Sequence, residues 1–158
     1  KMSIERSLHT IKERIKSHEG FRDKAYDDSL GIPTIGYGHM IRPQDNIQLD
    51  TKYSKDFLDE LFDKDFEIAL KGANQLIEER LPNLYTMGLK QGEIEVIQGV
   101  LIEMIFQMGL PRVFKFKKTL QALNDGKFDI AADEMLDSRW HDQTPARANE
   151  LSTIIRNI

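Results

Sequence analysis

Residues 21–40 restrict the fold of this chain more than any other stretch. Tyr26, Ile32, Thr34, Ile35 and Tyr37 are strand formers, and glycines at 31, 36 and 38 with Pro33 punctuate them. The pattern predicts a small antiparallel sheet with tight turns, one near Asp28, Ser29, Leu30 and Gly31. On both sides of it, apolar residues recur at helical spacing. Ile4, Leu8, Ile11 and Ile15 mark one face of a first helix, with Ser3 as its N-cap and Gly20 just past its end. After a polar loop over 42–53, Ser54 caps a helix with an apolar band of Phe57, Leu58, Leu61, Phe62, Phe66 and Ala69. That helix is expected to run to about Lys71 and to break or bend at Gly72. Residues 73–92 read as shorter helical pieces around Pro82 and Gly88.

From Glu93 to Met108 apolar residues fall nearly all round, as in a buried central helix, and Gly109 and Pro111 end it. Further helices are predicted over Phe114–Leu123, Phe128–Leu136 and Pro145–Ile155. Thr144 and Pro145 form a start signal for the last, a cap followed by proline at the first helical position. The fold class is therefore α+β and predominantly helical. One domain over 1–158 is expected, with a small lobe (1–71: first helix, sheet, connecting helix), a helical lobe (72–158) and a cleft between them.

Composition narrows the functions available. The chain of 158 residues has no cysteine, which excludes a disulfide framework, a thiol nucleophile and a cysteine metal site. The net charge is −4, which argues against bulk binding to nucleic acid or an anionic surface. The charge is uneven: +2 over residues 1–44, −6 over 45–95 and zero over 96–158. The start has no apolar run of signal-peptide type, and the apolar stretch at 96–108 is too short and too polar to span a bilayer. No membrane insertion is expected, and any role outside the cytoplasm needs a separate export route. The segment LPRVFKFKK at 110–118 alternates aromatic and basic residues, but its phenylalanines are expected to pack inward rather than to serve nucleic acid. His9, His18 and His141 show no metal-ligand spacing with one another, and no metal and no cofactor is expected.

The candidate chemistry lies in HEGFRDKAYDDSLGIPTIGYGHM, residues 18–40. Glu19 ends a helix, Asp28 sits in a turn and Thr34 follows in a strand. A hairpin folding back on the helix end points all three into one space. Two carboxylates in unlike surroundings can divide acid and base roles, and a threonine hydroxyl can orient a water. Each residue also has an ordinary reading: an aspartate in a turn caps it, and a glutamate at a helix end is solvated.

EG-x5-YDD-x2-G-x2-TIGYGH resembles the signature of the T-even phage lysozymes, glycoside hydrolase family 24. MIFQMG at 104–109 and SRW-x2-QTP-x-RA at 138–148 resemble two further blocks of that family in the same order. The resemblance implies a two-lobed lysozyme-like fold and hydrolysis of the β-1,4 bond between N-acetylmuramic acid and N-acetylglucosamine. It makes Glu19 the general acid, Asp28 the second carboxylate and Thr34 a residue that places water. An inverting enzyme of this type needs its carboxyl groups roughly 6.5–9.5 Å apart. Met40, Phe106, Thr119 and Glu134 fall at saccharide-contacting positions, with core packing an equally good reading of Met40 and Phe106. Arg147 matches an arginine that pairs with the catalytic glutamate. Gln107 and Trp140 match an amide–indole pair, and His39 and Asp65 an ion pair.

Two acids depart from the pattern, Glu103 and Glu134, and both are expected near the cleft, where they would bias which wall charges bind. The implied partner is bacterial peptidoglycan and the implied state a monomer. The implied setting is a phage endolysin that waits in the host cytoplasm until a holin opens the membrane to the wall. A tail-associated lysozyme domain, a lytic transglycosylase and a non-catalytic wall-binding domain are the alternatives. The intact Glu19, Asp28 and Thr34 argue against the last two.

Overall fold

A computed structural model describes residues 4–158. The predicted cap at Ser3 lies outside the described residues. Helix α1 runs Ile4–Glu19 and stops where Gly20 takes a left-handed φ of 74°, with its N–H on the Lys16 carbonyl. Three strands follow, β1 (Arg22–Asp27), β2 (Pro33–Gly36) and β3 (His39–Met40). They form one antiparallel sheet in the order β1-β2-β3, with an irregularity between Arg22 and Tyr26. A single 3-10 turn, Pro43–Asp45, opens the polar loop before helix α2 (Lys55–Arg80). Ser54 caps α2 through its hydroxyl, which accepts the Phe57 N–H at 3.1 Å.

Helix α2 does not break at Gly72. The apolar band continues through Ala69, Ala73, Leu76 and Ile77, all buried. A side chain at Gly72 would sit 3.3 Å from Ile105 Cγ2, so glycine serves close packing there and not termination. The expected short helical pieces after residue 72 are thus replaced, up to Arg80, by the rest of one 26-residue helix. Beyond it residues 82–86 form turns.

Helix α3 (Gln91–Met108) is buried continuously from Gly99 to Ile105. It ends at Gly109, whose φ is 85°. The helix expected over Phe114–Leu123 is two, α4 (Leu110–Phe114) and α5 (Lys117–Asn124). Phe116 separates them with ψ at 57°, its ring turned edge-on to Trp140 with centroids 6.1 Å apart. Helix α6 is Phe128–Leu136, as expected. Helix α7 (Arg139–Gln143) is short and has no counterpart among the expected elements; Ser138 caps it by accepting the His141 N–H. Helix α8 runs Pro145–Arg156. Proline opens it as predicted, but the Thr144 hydroxyl does not cap it. That hydroxyl donates to the Trp140 carbonyl at 3.1 Å and accepts from Gln107 Nε2 at 3.2 Å.

The chain divides into two compact units inside α1 and inside α2. One is His9–Ile68; the other is Ala69–Ile158 with the described residues before His9. In the first, Ile11, Ile15, Ile35, Tyr37, Leu58, Phe62 and Phe66 form the core. In the second, α6 packs on α5 and α8, α8 also on α3 and α7, and the core gathers around α3. The first turns of α1 join this unit, and the Ser7 hydroxyl donates to Glu95 on α3 at 2.6 Å. No helix among the described residues is long and apolar enough to cross a membrane.

Candidate active site

The hairpin gives each of the three predicted residues a distinct setting. Glu19 is the last residue of α1 and is half-buried. Its carboxyl lies against the Gly38 backbone: a Cβ at Gly38 would stand 2.6 Å from Glu19 Oε1. Gly38 also has φ at 78°, a region L side chains rarely enter. Two separate reasons therefore require glycine at this corner.

Asp28 follows β1 and builds the turn. Its Oδ1 accepts the N–H groups of Leu30 at 2.8 Å and Ile32 at 2.9 Å. The ordinary reading of a turn aspartate is therefore satisfied by one oxygen, and the other remains available for a further partner. Thr34 sits on β2 and is 3% exposed. Its hydroxyl donates to the Ile32 carbonyl at 2.8 Å, which leaves its lone pairs for a water to donate to.

Tyr26 ties these residues together, and sequence reasoning missed it. It stands opposite Thr34 across β1 and β2, and Thr34 stands opposite Met40 across β2 and β3. Directly paired residues share a sheet face, so Tyr26, Thr34 and Met40 form one row. The phenol of Tyr26 is held above its ordinary pKa of 10.0, first by burial. Arg22, stacked 4.4 Å over its ring, works against this, and the carboxylates of Glu19 and Asp28 both add to the rise. Both carboxylates therefore act on one phenol beside Thr34. The available signal was the YDD triplet, where the tyrosine read only as a strand former.

His39 is buried with Asp65 Oδ2 at 2.7 Å from Nδ1, the pair implied by the resemblance. A second carboxylate, Asp45 Oδ2, faces Nε2 at 2.8 Å and also accepts the Arg42 N–H. Two carboxylates on two ring nitrogens suit the imidazolium, which donates from both. Burial alone would lower the His39 pKa. The bonds to Asp65 and Asp45 outweigh it, and the net shift is upward from 6.5.

The remaining predicted residues lie in the helical unit, apart from Met40, which is 55% exposed. Trp140, buried, donates its indole N–H to Gln107 Oε1 at 2.8 Å, so the expected amide–indole pair is present. Thr119 and Glu134 line a cavity of about 560 Å³ together with Arg112, Lys115, Lys117 and Arg139. Phe106 is half-buried. Arg147 is buried, and its Nε donates to Glu103 Oε2 at 2.8 Å. Glu103 is 0% exposed. It is therefore a buried ion-pair partner and not an acid facing the wall, because the central helix has no solvent face at that position. Among the described residues no group of three or more His, Asp or Glu side chains is placed to hold a metal.

Comparison with known proteins gives the family of the chain. The family described as phage lysozyme matches residues 16–156. The probable T4-type lysozyme 1 of Dictyostelium discoideum is 30% identical, over 94% of each chain. The endolysin of Salmonella phage P22 is 32% identical over 78% of this chain and 76% of its own. The pre-baseplate central spike protein Gp5 of Enterobacteria phage T4 is 31% identical over 92% of this chain, but over only 27% of its own length. The three-stranded sheet, the helical unit and the match over nearly the whole chain lead to one assignment: the chain belongs to the phage lysozyme family and is a glycoside hydrolase of the lysozyme class.

Proposed function

We propose that this enzyme is a muramidase, cleaving the β-1,4 bond between N-acetylmuramic acid and N-acetylglucosamine in peptidoglycan. Glu19 protonates the glycosidic oxygen. Asp28 and Thr34 position and activate the attacking water, Asp28 through the oxygen its turn leaves open and Thr34 as an acceptor. Met40, Phe106, Thr119 and Glu134 contact the saccharide, and Arg147 supports the site from beside Glu103. The observation that carries this reading is that one hairpin holds Asp28 in its turn and Thr34 on β2 and lays Gly38 against the Glu19 carboxyl. Two carboxylates presented by one helix end and one hairpin turn are the pair of groups that general acid catalysis and water activation require.

Glu19→Gln is the direct test. It keeps the shape and removes the transferable proton, so hydrolysis of purified peptidoglycan should fall at least about a hundredfold. Undiminished lysis by this variant would sink the assignment. Mass spectrometry of the digest separates hydrolysis from transglycosylation: reducing muramyl ends support the reading, and 1,6-anhydro ends overturn it.

We further propose that the protein serves as an endolysin, acting on the host wall after a holin opens the membrane. The likeness to the P22 endolysin over most of both chains supports this. The spike protein supports a second role, since this chain matches a quarter or so of a longer protein there. Gene context decides between them: a holin gene alongside favours the endolysin, and tail genes alongside favour the spike module.

A further inference from the structure

Lys16 lies one helical turn before Glu19 on α1, and residues three apart share a helix face. Its ammonium is 5.0 Å from the centre of the Tyr37 ring, 4.9 Å from that of Phe62 and 3.7 Å from Asp59 Oδ1. The two rings meet edge to face with centroids 5.4 Å apart, so the cation occupies a walled corner. Asp59 Oδ2 takes the Lys55 ammonium at 2.8 Å. Asp59 Oδ1 is buried and has no hydrogen-bond donor among the described residues, so Lys16 supplies the charge that offsets it. The arrangement holds the Asp59 carboxyl below its ordinary value, chiefly through Lys55 and against burial, with Lys16 and the Tyr37 hydroxyl contributing.

Tyr37 immediately precedes Gly38. The last turn of α1 is thus fastened at two points to one two-residue corner. Lys16 grips the face of Tyr37, and Glu19 rests on the Cα of Gly38. The second contact is a close approach of the carboxyl to backbone. The first is a charge against two aromatic faces and a carboxylate, with direction and strength. Small displacements of a proton donor cost rate steeply.

We propose that Lys16 is a positioning residue for the reaction: by gripping Tyr37, Phe62 and Asp59 it fixes the last turn of α1 and with it the place of the Glu19 carboxyl at Gly38. The inference rests on Glu19 being the general acid. A lysine that merely adds stability would produce the same contacts, so the test must read chemistry apart from folding.

Steady-state kinetics on soluble peptidoglycan fragments, with a thermal melt of each variant, provide it. Lys16→Met keeps the length of the side chain and removes the charge. It should lower kcat about tenfold and leave KM within about twofold. Lys16→Arg, which can stack on the rings and pair with Asp59, should recover most of the loss. Tyr37→Leu should lower kcat by a similar factor, and the double variant Lys16→Met with Tyr37→Leu should lose no more than the worse single one. Additive losses, or a lowered Tm with kcat unchanged, would overturn the proposal. So would a raised KM with kcat intact. If Lys16→Met fails to fold, Lys16→Gln is measured against Lys16→Arg on the same criteria. Glu19→Gln separates the two readings: its activity defeats the acid assignment, whereas an inactive Glu19→Gln beside a fully active Lys16→Met defeats only the positioning role.

Discussion

Gly38 tolerates replacement less than any other residue beside the proposed acid. A methyl group there would overlap Glu19 Oε1, and its backbone angle already disfavours any L side chain. Gly38→Ala should reduce hydrolysis about a hundredfold, because the carboxyl must give way by about 0.8 Å, from 2.6 Å to the 3.4 Å of an ordinary contact. The backbone strain adds about 1–2 kcal/mol of destabilisation. A melt showing a folded protein together with a turnover assay checks both parts; near-normal turnover would show that Glu19 has room to relocate. At this scale the sequence was readable where chemistry follows a fixed local pattern. Glu19, Asp28 and Thr34 stand at a helix end, a turn and a strand, as the local pattern predicts. Glu103 escapes such a reading because its position on a helix apolar all round carries no periodic sign of which way it faces. Only the partner, Arg147, some forty residues away, explains it. Tyr26 is hidden for a related reason, since its place opposite Thr34 and its burial arise only once the sheet has formed.

Elements are held to one another by a few polar ties, and these carry separate predictions. Helix α8 is joined to α3 by Arg147 and Glu103, both buried. Removing the cation alone leaves a buried carboxylate without the Arg147 charge. Arg147→Met should destabilise by about 3–5 kcal/mol in urea unfolding, while Arg147→Met with Glu103→Leu should regain most of it. The 3-10 turn, β3 and α2 meet at His39, between Asp45 and Asp65. Arg42, Glu60 and Lys64 line the same pocket and complete its charged surroundings. The folded pKa of His39 is raised, so its contribution is full below 6.5 and fades as pH rises through the folded value. The pKa of Asp45 is lowered by the His39 and Arg42 bonds, against burial, so its contribution is full above 3.8 and fades as pH falls through the folded value. The tie is strongest between those two ordinary values. The Tm gap between wild type and Asp45→Asn should be widest there and narrow toward both extremes; a gap independent of pH would remove His39 from the account. Helix α2 shows the limit of local reading. Gly72 is a breaker by propensity, but Ile105 packs against it and the band of Ala69, Ala73 and Leu76 runs through.

For the whole molecule, the charge that first argued against a polyanionic partner must be weighed against a wall polymer that itself bears carboxylates. The class, the sheet and the order of the longer helices were legible because the period of the apolar residues changes at Gly20 and again after the polar loop, whereas α7 and the separation of α4 from α5 were not. That the described residues before His9 join the helical unit was not, because it depends on which side chains meet and not on any break in the chain. The electrostatics follow the same rule. The net charge is −4, with the excess acid in residues 45–95. Yet Arg112, Lys115, Lys117, Lys118 and Arg139 gather around one cavity in which Glu134 and Asp137 are the acids. Such a local cluster acts over about a Debye length, roughly 10 Å at 0.1 M salt, and cannot draw substrate from afar against an acidic whole. Long-range steering should therefore be weak and its salt dependence shallow. Raising ionic strength from about 0.05 to 0.2 M should change kcat/KM on peptidoglycan by less than about threefold. A tenfold or steeper fall would mean that the basic cavity dominates the field the substrate meets. Lys117→Glu would then abolish that slope, whereas with the acidic whole in control it leaves the slope as shallow as in the wild type.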